Sequence, residues 1–423
     1  MHESFTPGVA AQARSETRDT AAYVALPEPT PLALRYHRGN TAIWAADTVL
    51  GLAVPAALLL TGLSARLRTV AARLGRGRWL PTVALYAVLF TVLMAVIYLP
   101  FSWYVGFVRE HAYGLSRQTP SQWLGDWGKG VLVGAVVAAL VLWIPYLLLR
   151  ASPRRWWLWS GLAAAPLGVL ALLIGPVWIA PLFDDFGRMR DPRLETRILA
   201  LADRAGIEGA RVYEVNKSED TPRVNAYVTG IGRSKRIVLW DTLLDRLEPE
   251  QVLVVMGHEM AHYVLHHTLA VILGATLLAT LSLYAVHRLA GRLIARHRDR
   301  FGFDRLTDVA SLPLLMLLGG LVSFAVTPAV LAFSRWQERE ADRFALELTR
   351  DNRAAATVFV RLQQENLGVP RPGLLYTLWR GSHPSLAERV EFANRYRPWA
   401  TGRPLRYGHL FRSGEPGPRD ERR

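Results

Sequence analysis

Cysteine is absent from the 423 residues, which excludes disulfides, thiolate metal sites and cysteine nucleophiles and leaves the compartment open. Lysine is nearly absent too. Lys129, Lys217 and Lys235 are the only three, so arginine carries almost all of a formal net charge of +15. A GC-rich genome produces the same bias. The arginines are scattered among short loops and both tails, as membrane-flanking residues are, which argues against a nucleic-acid partner. The first 30 residues are polar and contain proline but no apolar run, so no cleavable signal peptide is expected.

Apolar residues, by contrast, make up 51% of the chain, with 14 tryptophans and a slightly positive mean hydropathy. That is high for a soluble protein and low for one wholly embedded in lipid. It predicts a membrane protein with a sizeable polar domain, and together with the runs below the fold expected is a mainly α, multi-span helical membrane protein with a small α+β domain at the membrane face. Six segments are long and apolar enough to span a bilayer: 41–63, 79–107, 130–149, 156–183, 268–286 and 309–333. The first carries Asp47. The spans hold few ionisable residues, which disfavours a transporter.

The organisation expected is a polar tail over 1–40, a four-span region over 41–183, an α+β part over 184–267 and a two-span hairpin over 268–333. A helical part follows over 334–400, and residues 1–35 and 401–423 read as disordered. Within the α+β part, helical spacing covers 195–206, and β-rich runs at 210–215, 225–230 and 235–241 predict three short strands. Pro249 then opens a helix that runs through "VVMGHEMAHYVLHH" (254–267).

His258, Glu259 and His262 in that helix form HExxH. Positions four apart share a helical face, so two imidazoles can reach one Zn²⁺ while Glu259 lies beside it, placed to take a proton from water. Chance alone would produce the motif in roughly one chain in a hundred of this length, so it needs a third ligand. His266 lies eight residues from His258, about 12 Å along a straight axis. The metzincin position holds Thr268. His266 and His267 are therefore expected to be polar groups at the membrane interface and not ligands. "SRWQEREAD" (334–342) offers more: Glu338 and Asp342 share a face, the first as a ligand, the second as an acid that orients a ligating histidine. Arg339 and Glu340 read as a solvated face. HExxH ends six residues before the hairpin of spans begins and Glu338 follows five residues after it ends, so both emerge at matching depth, about 8–9 Å from the apolar boundary.

With these residues in view the sequence resembles the type-I CAAX prenyl endopeptidase family, membrane zinc proteases of the glutamate-zincin type. "EHAYGLSRQT" (110–119), "PLFDDF" (181–186), "RVNAYVTGIGRSKRIVLWDTLL" (223–244), "SRWQEREAD" and "HPSLAERVEF" (383–392) carry the resemblance over roughly residues 80–395. It implies one zinc per chain held by His258, His262 and Glu338, with Glu259 as general base. Asp342 would be the family's second acid, Asn225 and Ala226 would lie on an edge strand that pairs with the substrate, and His383 would polarise the scissile carbonyl with Arg389 nearby. The partners implied are the bilayer and a peptide or protein substrate, lipidated or not. The family's architecture has seven spans around a chamber open to the bilayer; six are visible here.

The function expected is hydrolysis of peptide bonds in membrane-proximal or C-terminally lipidated substrates. The rival readings are an inactive scaffold that keeps the fold and a quality-control protease with no prenyl substrate. A degenerate member would be expected to lose Glu259 or a ligand first, and all are present. The resemblance implies a cell-membrane protein with a cytoplasmic catalytic face. Against this, the loops 64–78, 150–155 and 287–308 on the other side hold fourteen arginines, which the positive-inside rule would turn inward.

Overall fold

The computed structural model describes residues 23–209, 211–229 and 236–412. Six helices in it are long and apolar enough to cross a membrane: Pro31–Leu60, Trp79–Ala112, Pro120–Ala151, Trp156–Leu182, His267–Phe301 and Val309–Thr349. They are called the first to sixth spans below. Local chemistry sets their starts. Thr30 caps the first span by accepting from the Ala33 amide, with Pro31 at the first helical position. Thr119 and Gln122 form a reciprocal capping box at the third. Pro55, Pro100, Pro166 and Pro328 lie inside spans, as membrane helices tolerate.

Each span packs on its neighbour in the order first, sixth, fifth, fourth, third, second. A short helix, α1 (Leu63–Leu74), touches both the second and the first and completes the circuit. Buried apolar residues gather at the two ends of the spans. One cluster, at the end away from HExxH, joins Leu59, Tyr86, Tyr146, Trp156, Val286 and Leu314. The other is the core of the α+β domain.

That domain has a four-stranded sheet in the order β1-β2-β4-β3, with β1 Phe186–Gly187, β2 Arg211–Val215, β3 Ala226–Thr229 and β4 Arg236–Trp240. Strands β2 and β4 are parallel; β3 pairs antiparallel with β4, Ala226 opposite Leu239, and forms the sheet edge. Positions 210, 230 and 235 of the expected strands lie outside the described residues. Helix α2 (Pro192–Arg204) buries Leu194, Ile198 and Leu201, an i, i+4, i+7 stripe. Helix α3 (Pro249–Val264) carries HExxH and packs on the sixth span; a Cβ at Gly257 would stand 3.3 Å from the Ala345 Cα, so glycine permits the close approach. Helices α4 (Asn352–Glu365) and α5 (Leu386–Arg395) close the core.

The structure departs from expectation at both ends. Residues 23–40 are not a disordered tail: Val24 exchanges hydrogen bonds with the Asn394 side chain at 3.0 and 2.9 Å, and the first span begins at Pro31 rather than 41. Likewise the amides of Arg406 and Tyr407 donate to the buried Glu347 carboxylate at 2.9 and 2.7 Å. Both segments are ordered by hydrogen bonds to distant residues, for which their own composition gives no sign. The rest of the expected tails, 1–22 and 413–423, lies outside the described residues.

A candidate metal centre at the membrane face

Two helices bring the site together. Helix α3 presents His258, Glu259 and His262, and the end of the sixth span presents Glu338 and Asp342 from one continuous helix. One ligand atom from each of His258, His262 and Glu338 falls within 4.8 Å of the others. The two Nε2 atoms lie 3.2 Å apart, and Glu338 oxygens lie 3.1 Å from His258 Nε2 and 3.5 Å from His262 Nε2.

These groups face each other in a way that suits a cation. His258 Nδ1 lies 2.9 Å from Asp342 Oδ1; a carboxylate accepts, so this nitrogen donates, and once the Nε2 proton is displaced the Nε2 lone pair faces Glu338 and His262. Glu338 Oε2 is buried and accepts no hydrogen bond among the described residues, with His258 Nε2 and His383 Nε2 each 3.1 Å away. Around a tetrahedral zinc with bonds of about 2.0–2.1 Å, neighbouring donors stand about 3.3 Å apart. The observed separations bracket that edge. The residues fit the metal.

The electrostatics agree. Burial opposes charge on His258, but the Asp342 and Glu338 carboxylates outweigh it and lift the imidazole to about 10. Burial, then the charge on His258, pushes His262 down to about 3. The pair holds one proton, which a divalent ion would replace. Burial also raises Glu259 above the ordinary glutamate range, and its carboxylate takes a hydrogen bond from the Val228 backbone on β3. A buried carboxyl that gains a proton easily suits a base.

Asn225, Ala226, His258, Glu259 and His383 line one cavity. Asn225 immediately precedes the edge strand, its carbonyl bonded to the Trp240 amide and its side-chain oxygen to the Ala226 amide. His383 is half exposed, with Nδ1 2.8 Å from Ser382 Oγ.

Arg389 lines the same cavity and is also tied to the second acid. Its guanidinium grips both Asp342 oxygens, at 2.6 and 2.9 Å, and lies over the Phe359 ring. Arg389, Asp342 and His258 thus form a chain that fixes one imidazole. Glu340 is not on a solvated face: it is buried and bonded to Tyr407, Arg343 and Arg406. His267 is the clearest correction. It is 6% exposed, not an interfacial group, and its Nδ1 lies 3.0 Å from His262 Nδ1. His266 is exposed.

The "EHAYGLSRQT" stretch also has a place. Glu110 accepts from Arg223 at 2.6 Å and from Tyr36 at 2.9 Å, and the Arg117 amide donates to the Asp220 carbonyl. It buttresses the segment leading into Asn225 and β3.

Comparison with known proteins follows the same two parts. Residues 188–397 match the model of peptidase family M48, and residues 31–185 match that of the CAAX prenyl protease N-terminal region, described as five membrane helices. This chain places four spans there. It is 38% identical to the Bacillus subtilis protein named uncharacterized metalloprotease YhfN, over 80% of this chain and 79% of that one. A CAAX prenyl protease 1 homolog of Dictyostelium discoideum is 32% identical, over 71% and 70%. The crystal structure of S. mikatae Ste24p superposes with a TM-score of 0.74 at 22% identity, covering 90% of this chain and 96% of that one, a likeness of fold. The chain is a multi-span membrane protein of peptidase family M48, a metalloprotease related to the CAAX prenyl proteases.

Proposed function

We propose that the protein is a zinc endopeptidase that cuts peptide segments lying close to the bilayer, lipidated C-terminal segments among them. The observation that carries this is the convergence of His258, His262 and Glu338 on one point at the end of a membrane span. Two imidazoles, one carboxylate and an open fourth position are the donor set of a catalytic zinc.

When bound, zinc would supply a Lewis acid for the scissile carbonyl and lower the pKa of water at the site. Glu259 takes the proton of the attacking water and returns it to the leaving amine. Asp342, held by Arg389, keeps the proton of His258 on Nδ1, so that Nε2 presents its lone pair to the metal. His383, which lines the same cavity as Glu259, contacts the carbonyl oxygen as charge develops there. The open edge of β3 beyond Asn225 and Ala226 pairs with an extended substrate backbone.

A lipidated peptide meets the geometry because its chain can stay in the bilayer while the peptide rises to the site. A juxtamembrane segment of another protein meets it equally. Purified enzyme is expected to cut a synthetic farnesylated CAAX peptide in preference to the same peptide without lipid. Good cleavage of soluble casein with none of the lipidated peptide would sink the membrane-proximal reading.

We place the protein in the cell membrane with its catalytic face toward the cytoplasm, where lipidated C-termini would be met. The fourteen arginines on the opposite face are the counter-argument. Reporter fusions after residues 70 and 420 should report the outside and the cytoplasm respectively; the reverse pattern overturns the assignment.

A further inference from the structure

His258 has a visible partner that sets which ring nitrogen carries its proton: Asp342, itself held by Arg389. The second histidine of the motif has no carboxylate behind it in these contacts. Its Nδ1 meets another imidazole, that of His267, at 3.0 Å, with the rings edge to face and their centroids 5.0 Å apart.

The backbone is bent to achieve this. Helix α3 stops at Val264, and His266 takes a left-handed conformation, φ 54° and ψ 33°, before the fifth span begins at His267. A non-glycine residue there is strained and persists only where surrounding contacts hold it. On a straight helix, position 267 would point well away from 262. The turn brings it back, and the Gln337 side chain, next to Glu338, donates to the His267 carbonyl at 3.3 Å. The His267 ring is buried, so its role is internal to the fold.

We propose that His267 is a positioning residue for the metal centre: as a neutral imidazole protonated on Nε2, it accepts the Nδ1 proton of His262 and so turns the His262 Nε2 lone pair toward the metal. The inference rests on the metal centre proposed above. Hydrogen-bond inventory requires the direction. If His262 Nε2 binds a cation, its Nδ1 must carry hydrogen, and the atom facing it must accept. The two metal-facing histidines are thus oriented by different devices, a carboxylate for one and a second imidazole for the other.

The test compares His267→Leu with His267→Asn in the purified full-length protein, reading zinc affinity by competition with a chromogenic chelator. Asparagine can place Oδ1, an acceptor, about where the imidazole Nδ1 stands; leucine has a similar shape and no acceptor. Leucine is expected to weaken zinc binding about 10–100-fold, and asparagine to stay within about threefold of wild type. Equal weakening by both would overturn the proposal, because only ring packing would then matter. So would wild-type affinity in the leucine variant. If the leucine variant does not fold, asparagine decides alone: affinity within about threefold supports the proposal and a loss of tenfold or more overturns it. Absence of zinc binding in wild type would remove the metal centre itself, whereas normal binding in wild type and both variants would remove this inference alone.

Discussion

Replacing Glu259 with glutamine should lower peptide cleavage by about a thousand-fold or more while the protein keeps its full metal content. Glutamine has the shape of glutamate and cannot accept a proton from water at neutral pH. Glu259 is not one of the three groups converging on the metal position; it sits beside them, its carboxylate bonded to the backbone of β3 at Val228. Substitution therefore removes a base and leaves the ligands in place. Metal analysis alongside a cleavage assay reads both halves of the expectation. Loss of metal in Glu259→Gln would show that the carboxylate holds the ion, and undiminished cleavage would show that another group moves the proton.

Glu338→Ala should lose both metal and activity. The carboxylate closes the triangle with the two imidazoles, and its Oε2 atom is buried without a hydrogen bond among the described residues. Removing it leaves two histidines and no anionic donor. The remaining acid of that helix, Asp342, is already committed to His258 and Arg389, so it is not free to substitute. Elemental analysis of the purified variant checks this. Stoichiometric metal in Glu338→Ala would move the third ligand elsewhere, to a residue such as His383, which lies 3.1 Å from Glu338.

The sequence exposed those parts of the site whose geometry is local. HExxH and ExxxD each place two side chains one helical turn apart, and that spacing is fixed by the helix whatever surrounds it. The six spans were legible because their length and hydropathy exceed what a soluble core helix needs. The first span's start was misplaced at 41, because the Thr30–Pro31 cap that sets it lies upstream of the apolar run.

What sequence reading missed depends on the chain turning or on partners far away. His267 reads as an interfacial group because nothing local marks the turn before it: the left-handed residue that breaks the helix, His266, is not the glycine or asparagine that signals one. Arg389 lines the cavity as the sequence suggests, but its bond to Asp342 is a contact across 47 positions that no local spacing could reveal. Glu340 looked solvated because Tyr407, its buried partner, lies in a segment with no helical or strand pattern.

X-ray absorption at the zinc edge of the purified wild-type chain tests the central claim most directly, because it counts imidazole scatterers around the ion. With no cysteine in the chain, the first shell should contain nitrogen and oxygen at about 2.0–2.1 Å, with outer-shell scattering from two imidazoles. A fit requiring three imidazoles, or a chain that holds no zinc, would contradict a centre built from His258, His262 and Glu338.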